Sequence, residues 1–447
     1  MDSKQVMNRR DSQSTGLSLS NLRLPNAALT ELESLQIRVL DIIKDLKSAF
    51  KIYDIDPKIS EHLNNFETGI ISSLDKKDYR SIPRLLRDFQ DTFDKFSTVR
   101  KFELPDSLNT WSFKMNFDAV RVKLVPIMAS TINKQHFLSS DKRFAYLNEG
   151  FFSWAVLGDR GVVLISKNRA TEQTFHSYRL RKAIADLLNE YNLEQPKVIE
   201  IGSFPFDYCI IERAKGKLIS DLVYSKTPPD IATLKTSLTY LGDFFYSLKD
   251  LSIDGYGKLI RSTNTRSIAG EHVDIKECYE KLLKRFGQET DNIKTLNDNG
   301  ILSLEEINKI KEITTDLSKL NDRPILAHGD YHPGNFYINE DNKILALDWD
   351  MACMMHPAEL LSGLYKCYVQ QDLYAVSKDD SKDCFSLLAK NFLNNPNMPE
   401  CNLDNMFKFL IVRDFYELVP LAKDIEINKD KAIKLVSAIR ESLSHLQ

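Results

Sequence analysis

From about residue 27 to residue 98, apolar positions recur in steps of three and four. Leu32, Leu35, Val39, Ile42, Leu46, Ala49 and Tyr53 form one helical stripe, which Leu40 and Ile43 widen beyond a two-stranded seam. A second helix is expected to open at Asp56, its N-cap, with Pro57 as first helical residue; it lines up Ile59, Leu63, Phe66, Ile70 and Leu74. A third stripe holds Tyr79, Ile82, Leu86, Phe89, Phe93 and Phe96, and a further helix is expected over about 116–134. Short polar connections make neighbours antiparallel. The expectation is an all-α bundle over 26–138 behind a polar, Ser-rich, disordered tail at 1–25. No helix face there gathers convergent polar groups. The bundle therefore reads as packing, with a docking surface for a protein partner left open.

Near residue 144 the period changes. "FAYLNEG", "FFSWAVLG" and "GVVLISK" are short β-type runs, the last two joined by an Asp159-Arg160-Gly161 turn. A helix follows at about 172–191, then two further strands, "KVIEIGSF" and "DYCIIERA". This order describes a small, mostly antiparallel sheet of five strands with one helix packed on it. From Lys215 onward helical periodicity returns, with helices expected at 229–250, 272–291, 303–320, 357–370, 380–393 and, in pieces, 403–445. The helix at 303 opens with Ser303-Leu304-Glu305-Glu306, a capping box. One clear β element is expected inside this helical region: the stretch "AHGDYHPGNFYI" and its continuation "KILALD", turned by "NEDN".

Composition narrows the class. The chain has 447 residues, 43% hydrophobic and 28% charged, the balance of a globular protein with room for large cores. A net charge of -3 argues against a general binder of nucleic acid or membrane surface. No window approaches eighteen uninterrupted apolar residues, so no membrane span is expected. The N-terminus lacks the apolar core of a secretory signal. The six cysteines show no Cys-x-x-Cys pair and no His at zinc spacing, so reduced structural thiols are expected. A cytoplasmic working place follows, in the producing cell or in a host cytosol.

The chemistry gathers at 327–350. Asp330 lies five positions before Asn335, and a hairpin separates Asn335 from Asp348, so the bend and the far strand end return to one place. One carboxylate that can accept a proton, with an amide oxygen and a second carboxylate that can grip a cation, suits Mg²⁺, which wants a few hard oxygen ligands. Phosphoryl transfer asks little more of a protein than to orient the hydroxyl, hold the metal and neutralise charge. A capped turn, in which Asp and Asn merely satisfy backbone amides, is the bland alternative.

His-Gly-Asp-x-x-x-x-Asn followed by Asp-Trp-Asp resembles the catalytic loop and metal segment of the aminoglycoside phosphotransferase and choline kinase group. The resemblance covers about 140–447 and implies an α+β, bilobal, protein-kinase-like fold. It divides that stretch into a small sheet lobe at 139–214 and a large helical lobe at 215–447. It implies Asp330 as catalytic base or hydroxyl-orienting group, Asn335 and Asp348 as Mg²⁺ ligands, and His328 as a brace of the loop. His332 faces substrate or orders the loop; Trp349 and Asp350 are structural.

The resemblance implies an ATP site in the small lobe. Gly150 in "NEGFFS", with Asn148 and Ser153 as donors, stands for the phosphate-covering turn. Strand periodicity puts Val163, Ile165 and Lys167 on one face, and Lys167 is either the phosphate-contacting lysine or a solvated strand-end residue. The helix carboxylate expected to pair with it is missing from "SYRLRKAI": Arg179 and Arg181 stand there, and Glu172 is the nearest substitute. Glu212 and Ala214 hold the position of the connector whose backbone pairs with adenine, and Lys249 replaces a customary histidine. Glu359 either steadies the catalytic loop or is a solvent-facing carboxylate at a helix start. Glu400, Asp404, Asp414, Glu417 and Asp424 could line an acidic pocket for a polycationic acceptor or be ordinary helix faces.

These readings point to an ATP- and Mg²⁺-dependent phosphotransferase acting on a hydroxyl of a small molecule, or of a protein. The thin phosphate loop and the missing helix glutamate favour a second reading, a pseudokinase-like interaction module. Transfer of a nucleotidyl group is a third.

Overall fold

The computed structural model describes 41, 44, 57–76, 78, 81–88, 91, 125, 126, 128, 129, 132, 145–149, 153–158, 161–167, 171–203, 206–224, 231–261, 268–370, 377–393, 395–425 and 428–446. The chain divides into two units, Met1–Tyr146 and Leu147–Gln447. In the first, α1 (Pro57–Asp75) does begin at the proline, whose missing N–H costs nothing in a first turn. Phe66 and Ile70 of its expected stripe are buried, as are Ile82 and Leu86 of the helix at 81–88. Ser81 Oγ meets Ser73 Oγ at 2.5 Å. The polar tail and most of the rest of the expected bundle lie outside the described residues.

A five-stranded sheet comes next along the chain, in the order β1-β2-β3-β5-β4. Its strands are β1 (Ala145–Glu149), β2 (Ser153–Leu157), β3 (Gly161–Ser166), β4 (Val198–Gly202) and β5 (Tyr208–Glu212). β2 pairs antiparallel with β3, Trp154 facing Ile165, and β3 pairs antiparallel with β5. Helix α2 (Thr171–Glu190) covers this sheet. Its Tyr178 joins Leu164, Val198, Cys209 and Ile211 in the sheet's core, while Leu180, Ile184 and Leu188 enter the larger core beyond. One helix thus belongs to two cores, which fixes its polar stripe between them.

The larger part is helical. It contains α3 (Ile219–Tyr224), α4 (Ile231–Ser247), α5 (Ile275–Gln288), α6 (Thr290–Asp298), α7 (Leu304–Leu317), α8 (Pro357–Tyr365), α9 (Lys378–Ala389), α10 (Leu403–Leu418) and α11 (Lys429–Ser444). The capping box at Ser303 and Glu306 forms in both directions.

The expectation of one β element here needs correction. Besides the hairpin β10 (Phe336–Ile338) and β11 (Ile344–Ala346), this region holds β6 (Lys217–Leu218), β7 (Tyr256–Arg261), β8 (Ile268–His272), β9 (Ile325–Ala327) and β12 (Cys353–Met355). They form a three-stranded sheet, β11-β10-β6, and a four-stranded sheet, β8-β7-β12-β9. β9 and β12 carry no alternation because every residue but Cys353 is buried, and their partners lie far along the chain.

That pairing positions the site. β10 runs antiparallel to β11, Phe336 opposite Ala346, and β9 runs antiparallel to β12, Ala327 opposite Cys353. The segments 328–335 and 347–352 therefore form an interruption between two separate ladders: irregular loops, each with one 3-10 turn, tied together at both ends.

Candidate active site

Within the interruption, backbone contacts keep the two segments together. The Leu347 N–H donates to the Asn335 carbonyl at 2.8 Å, which sets Asp348 beside the amide residue. His328, fully buried, bonds both segments: its Nε2 lies 2.6 Å from the Leu347 carbonyl and its Nδ1 accepts weakly from the Asp330 N–H at 3.4 Å. Those contacts require the neutral ring with its proton on Nε2. Burial pushes the imidazole down to about 4, against the backbone bond to Leu347 and the charge of Asp330. The ring also sits against Phe336 and Trp349, centroids 4.9 and 4.6 Å away. Its surroundings are those of a staple between segments, with no edge turned to solvent.

Gly329 makes the approach possible. It has φ +80°, and a Cβ built there would lie 2.0 Å from the Met351 carbonyl oxygen.

Asp330 follows, half-buried, with Oδ1 receiving a weak bond from the His332 N–H at 3.4 Å. His332 is exposed and its Nδ1 accepts from the Gly334 N–H at 3.0 Å, capping the single turn Pro333–Asn335. Of its two readings, the loop-ordering one has a visible contact. Asn335 donates through Nδ2 to the Asp330 carbonyl at 3.3 Å, so its amide oxygen turns the other way. Asp348 sits in the left-handed region, φ 62° and ψ 59°, a conformation Asp tolerates better than most residues. Its side chain is half-exposed. An amide oxygen and a carboxylate oxygen on adjoining backbone are a hard donor set that fits Mg²⁺.

The carboxylates are not alone. Arg181, on α2, places one Nη2 atom 2.7 Å from Asp348 Oδ1 and 3.0 Å from Asp350 Oδ1. Ser177, one turn earlier on the same face, donates its hydroxyl to that Asp350 oxygen. Burial raises the Asp348 carboxyl; Arg181 offsets this in part, and the neighbouring charges of Asp350 and Asp330 add to the rise. Burial works against the Asp350 charge too, yet Arg181 and Ser177 outweigh it and hold that carboxyl below its ordinary range. Arg181 itself is raised, the two aspartates overcoming its desolvation. The sequence had offered Arg181 only as a departure from a pattern. Its partners lie more than 160 residues away, beyond any local signal.

The remaining expectations sort as follows. Gly150 lies outside the described residues, and Glu172 lies in α2 with its side chain outside them. Ser153 Oγ is engaged with the Tyr178 hydroxyl at 2.7 Å. Lys167 is not a solvated strand-end residue: it is 4% exposed, with Nζ 5.7 Å from the centroid of the Trp154 ring. Both faces of β3 are buried: Leu164 packs with Tyr178, Cys209 and Ile211 on one side, while Ile165 lies opposite Trp154, the ring that Lys167 also approaches. Glu212 ends β5, its N–H bonded to the Lys197 carbonyl and its carboxylate to the Lys197 N–H; Ala214 lies half-buried in the connector. Glu359 is not solvent-facing, for it accepts the Tyr256 hydroxyl, and burial raises it despite that bond. Trp349 is buried, its Nε1 donating to the Ala346 carbonyl.

The acidic set does not assemble. Glu400 caps the Asn321 and Asp322 amides, while Asp414 and Glu417 both hold Lys366 at 2.7 Å. Asp404 and Asp424 are exposed at opposite ends of the segment 403–424. A separate cluster of Asp322, His356 and Glu400 has ligand atoms within 4.8 Å of one another. However, His356 Nδ1 accepts from the Ala358 N–H at 3.1 Å, which leaves the proton on Nε2, pointing at the carboxylates. That tautomer offers no lone pair to a cation, and its Nε2 lies 3.8 Å from Asp322 and 3.7 Å from Glu400.

Comparison with known proteins agrees with the motif. Among solved structures, aminoglycoside phosphotransferase APH(4)-Ia aligns with 15% identity over 71% of this chain and 98% of its own, TM-score 0.49. A ternary complex of a thermostable APH(4)-Ia mutant with AMP-PNP and hygromycin B aligns with 16% identity over 68% and 94%, TM-score 0.47. ADP-bound APH(2'')-Ib aligns with 17% identity over 70% and 98%, TM-score 0.44. No curated protein sequence matches the chain. The sequence profile of the phosphotransferase enzyme family matches residues 153–372, from the start of β2 through both active-site segments. The motif and the two segments that carry it fall inside this match to the phosphotransferase enzyme family.

Proposed function

We propose that this protein is an ATP- and Mg²⁺-dependent phosphotransferase that passes the γ-phosphoryl group to a hydroxyl of a small molecule. The observation that carries the reading is the pair of loops tied at both ends by strand pairing, with the Leu347 N–H bonded to the Asn335 carbonyl, so that Asp348 adjoins the loop of Asp330 and Asn335. Asp330, half-buried at the mouth of the loop, orients the acceptor hydroxyl and takes its proton as the bond to phosphorus forms. The Asn335 amide oxygen and the Asp348 carboxylate hold the metal, which when bound neutralises charge on the phosphates. Lys167, packed on Trp154, is the nearest candidate for a phosphate contact from the sheet. The backbone at Glu212 and Ala214 and the turn at Gly150 and Ser153 complete the nucleotide site.

One similar structure is a complex with hygromycin B, and another is a complex with kanamycin. For the present chain, three of the five acidic residues that could have formed a cation pocket are engaged by other groups of the same chain: Glu400 by backbone amides, Asp414 and Glu417 by Lys366. This favours a neutral or weakly charged acceptor over a polycation.

The test is transfer of label from [γ-³²P]ATP, with Mg²⁺, across a panel of aminoglycosides, amino alcohols, sugars and nucleosides. Labelled product is expected with wild type, and Asp330→Ala should lose it while keeping its melting temperature. No turnover by wild type on any acceptor, with or without water as acceptor, contradicts the proposal. The interaction-module reading is favoured by Arg181 standing where the family places a carboxylate. Calorimetry separates the two, because a module without nucleotide affinity gives no heat with ATP and Mg²⁺.

A further inference from the structure

Helix α2 addresses the metal segment through one stripe. Ser177 and Arg181 are one turn apart, and both reach Asp350 Oδ1; Arg181 continues to Asp348 Oδ1. The guanidinium is mostly buried, with its side chain 11% exposed. Helix α2 cannot easily carry it away, because Tyr178 is anchored in the sheet core and Leu180 and Ile184 in the larger one. A cation bridging two carboxylates from a rigid helix is a built feature.

In protein kinases two Mg²⁺ ions share the aspartate of the metal segment and the asparagine of the catalytic loop. Here one oxygen of that aspartate is already bonded. We infer that Arg181 is a resident cation which replaces the second divalent ion, so that this site works with a single metal held by Asn335 and the remaining oxygen of Asp348. The inference rests on the phosphotransferase reading and deepens it. Charge is consistent with this. Arg181 already places one fixed positive charge in contact with both Asp348 and Asp350, where a second divalent ion would otherwise supply it. Geometry is consistent as well: a planar guanidinium can span two carboxylates, whereas a second metal on Asp348 Oδ1 would meet a fixed positive group in contact with its ligand.

The experiment counts ions on the full chain. Native mass spectrometry with Mn²⁺ and a non-hydrolysable ATP analogue should show one Mn²⁺ on the wild-type complex. Arg181→Met should show two, since Asp348 Oδ1 and Asp350 are then released. Arg181→Lys, which keeps the charge, should remain at one. Two ions on wild type, two on Arg181→Lys, or only one on Arg181→Met overturns the inference. The wild-type and Arg181→Lys counts decide the matter even where Arg181→Met fails to fold. Calorimetry distinguishes this failure from failure of the underlying reading. Wild type that takes up no analogue in Mn²⁺ removes the phosphotransferase reading. Wild type that binds it, with Arg181→Met still at one ion, removes the role of Arg181 alone.

Discussion

Replacing Gly329 by alanine tests how closely the two active-site segments must approach. Two costs are separable at this position. The backbone has φ +80°, which charges any L-residue about 1 kcal/mol. The new Cβ would also stand 2.0 Å from the Met351 carbonyl oxygen, where van der Waals contact begins at roughly 3.2 Å. The segments would have to part by about 1.2 Å, stretching the bonds from His328 and Asn335 to the Leu347 backbone. Overpacking of this kind costs about 1–3 kcal/mol beyond the strain, so Gly329→Ala should lose about 2–4 kcal/mol. Gly300 is the internal control. It has φ +67° and nothing within 4 Å of a built Cβ, so Gly300→Ala should lose only the first cost, about 1 kcal/mol. Urea denaturation followed by circular dichroism measures both, and phosphoryl transfer should fall with Gly329→Ala but not with Gly300→Ala. Equal stability losses in the two variants, or an active Gly329→Ala, would refute the close-approach argument.

Other expectations follow from buried charge. The His328 imidazole is lowered from 6.5 to about 4 by burial, so the unfolded chain binds the extra proton first as pH falls. Its contribution is complete above pH 6.5 and is lost as pH drops toward 4, about 3 kcal/mol in all. His328→Asn should therefore show a stability–pH curve flatter by that amount over the window, and an unchanged slope would contradict the neutral staple. Lys366 neutralises Asp414, whose side chain is fully buried with Oδ2 unbonded. Lys366→Met should cost about 3–5 kcal/mol, and adding Asp414→Asn should recover part of the loss in thermal melts. A double variant no more stable than Lys366→Met would show that packing, not charge, sets the cost.

Some of this architecture was readable before any coordinates. The hairpin at 336–346 could be read because its strands and turn are contiguous, and "HGDYHPGN" and "LDWD" carry their chemistry in adjacent letters. Most of the long helices after residue 215 are legible for the same reason, since period and cap are local, the box at Ser303 being an instance, whereas the short Ile219–Tyr224 and Thr290–Asp298 are not. What escaped was long-range. β9 and β12 are three residues each, buried without alternation, and pair across the active-site loops. For Lys167 the sequence leaves two readings, a phosphate-contacting lysine or a solvated strand-end residue, and only its burial beside Trp154 removes the second. Arg181 reads in the sequence only as a missing glutamate, because the aspartates it holds lie 167 and 169 residues further along the chain.

The central claim is that Asn335 and Asp348 jointly hold a divalent ion next to Asp330. Crystals grown with Mn²⁺ and a non-hydrolysable ATP analogue would place that ion by its anomalous scattering. The account expects a peak about 2.1 Å from both the Asn335 amide oxygen and an Asp348 carboxylate oxygen. Density for the analogue with the ion bound elsewhere, and neither side chain coordinating it, would contradict the account.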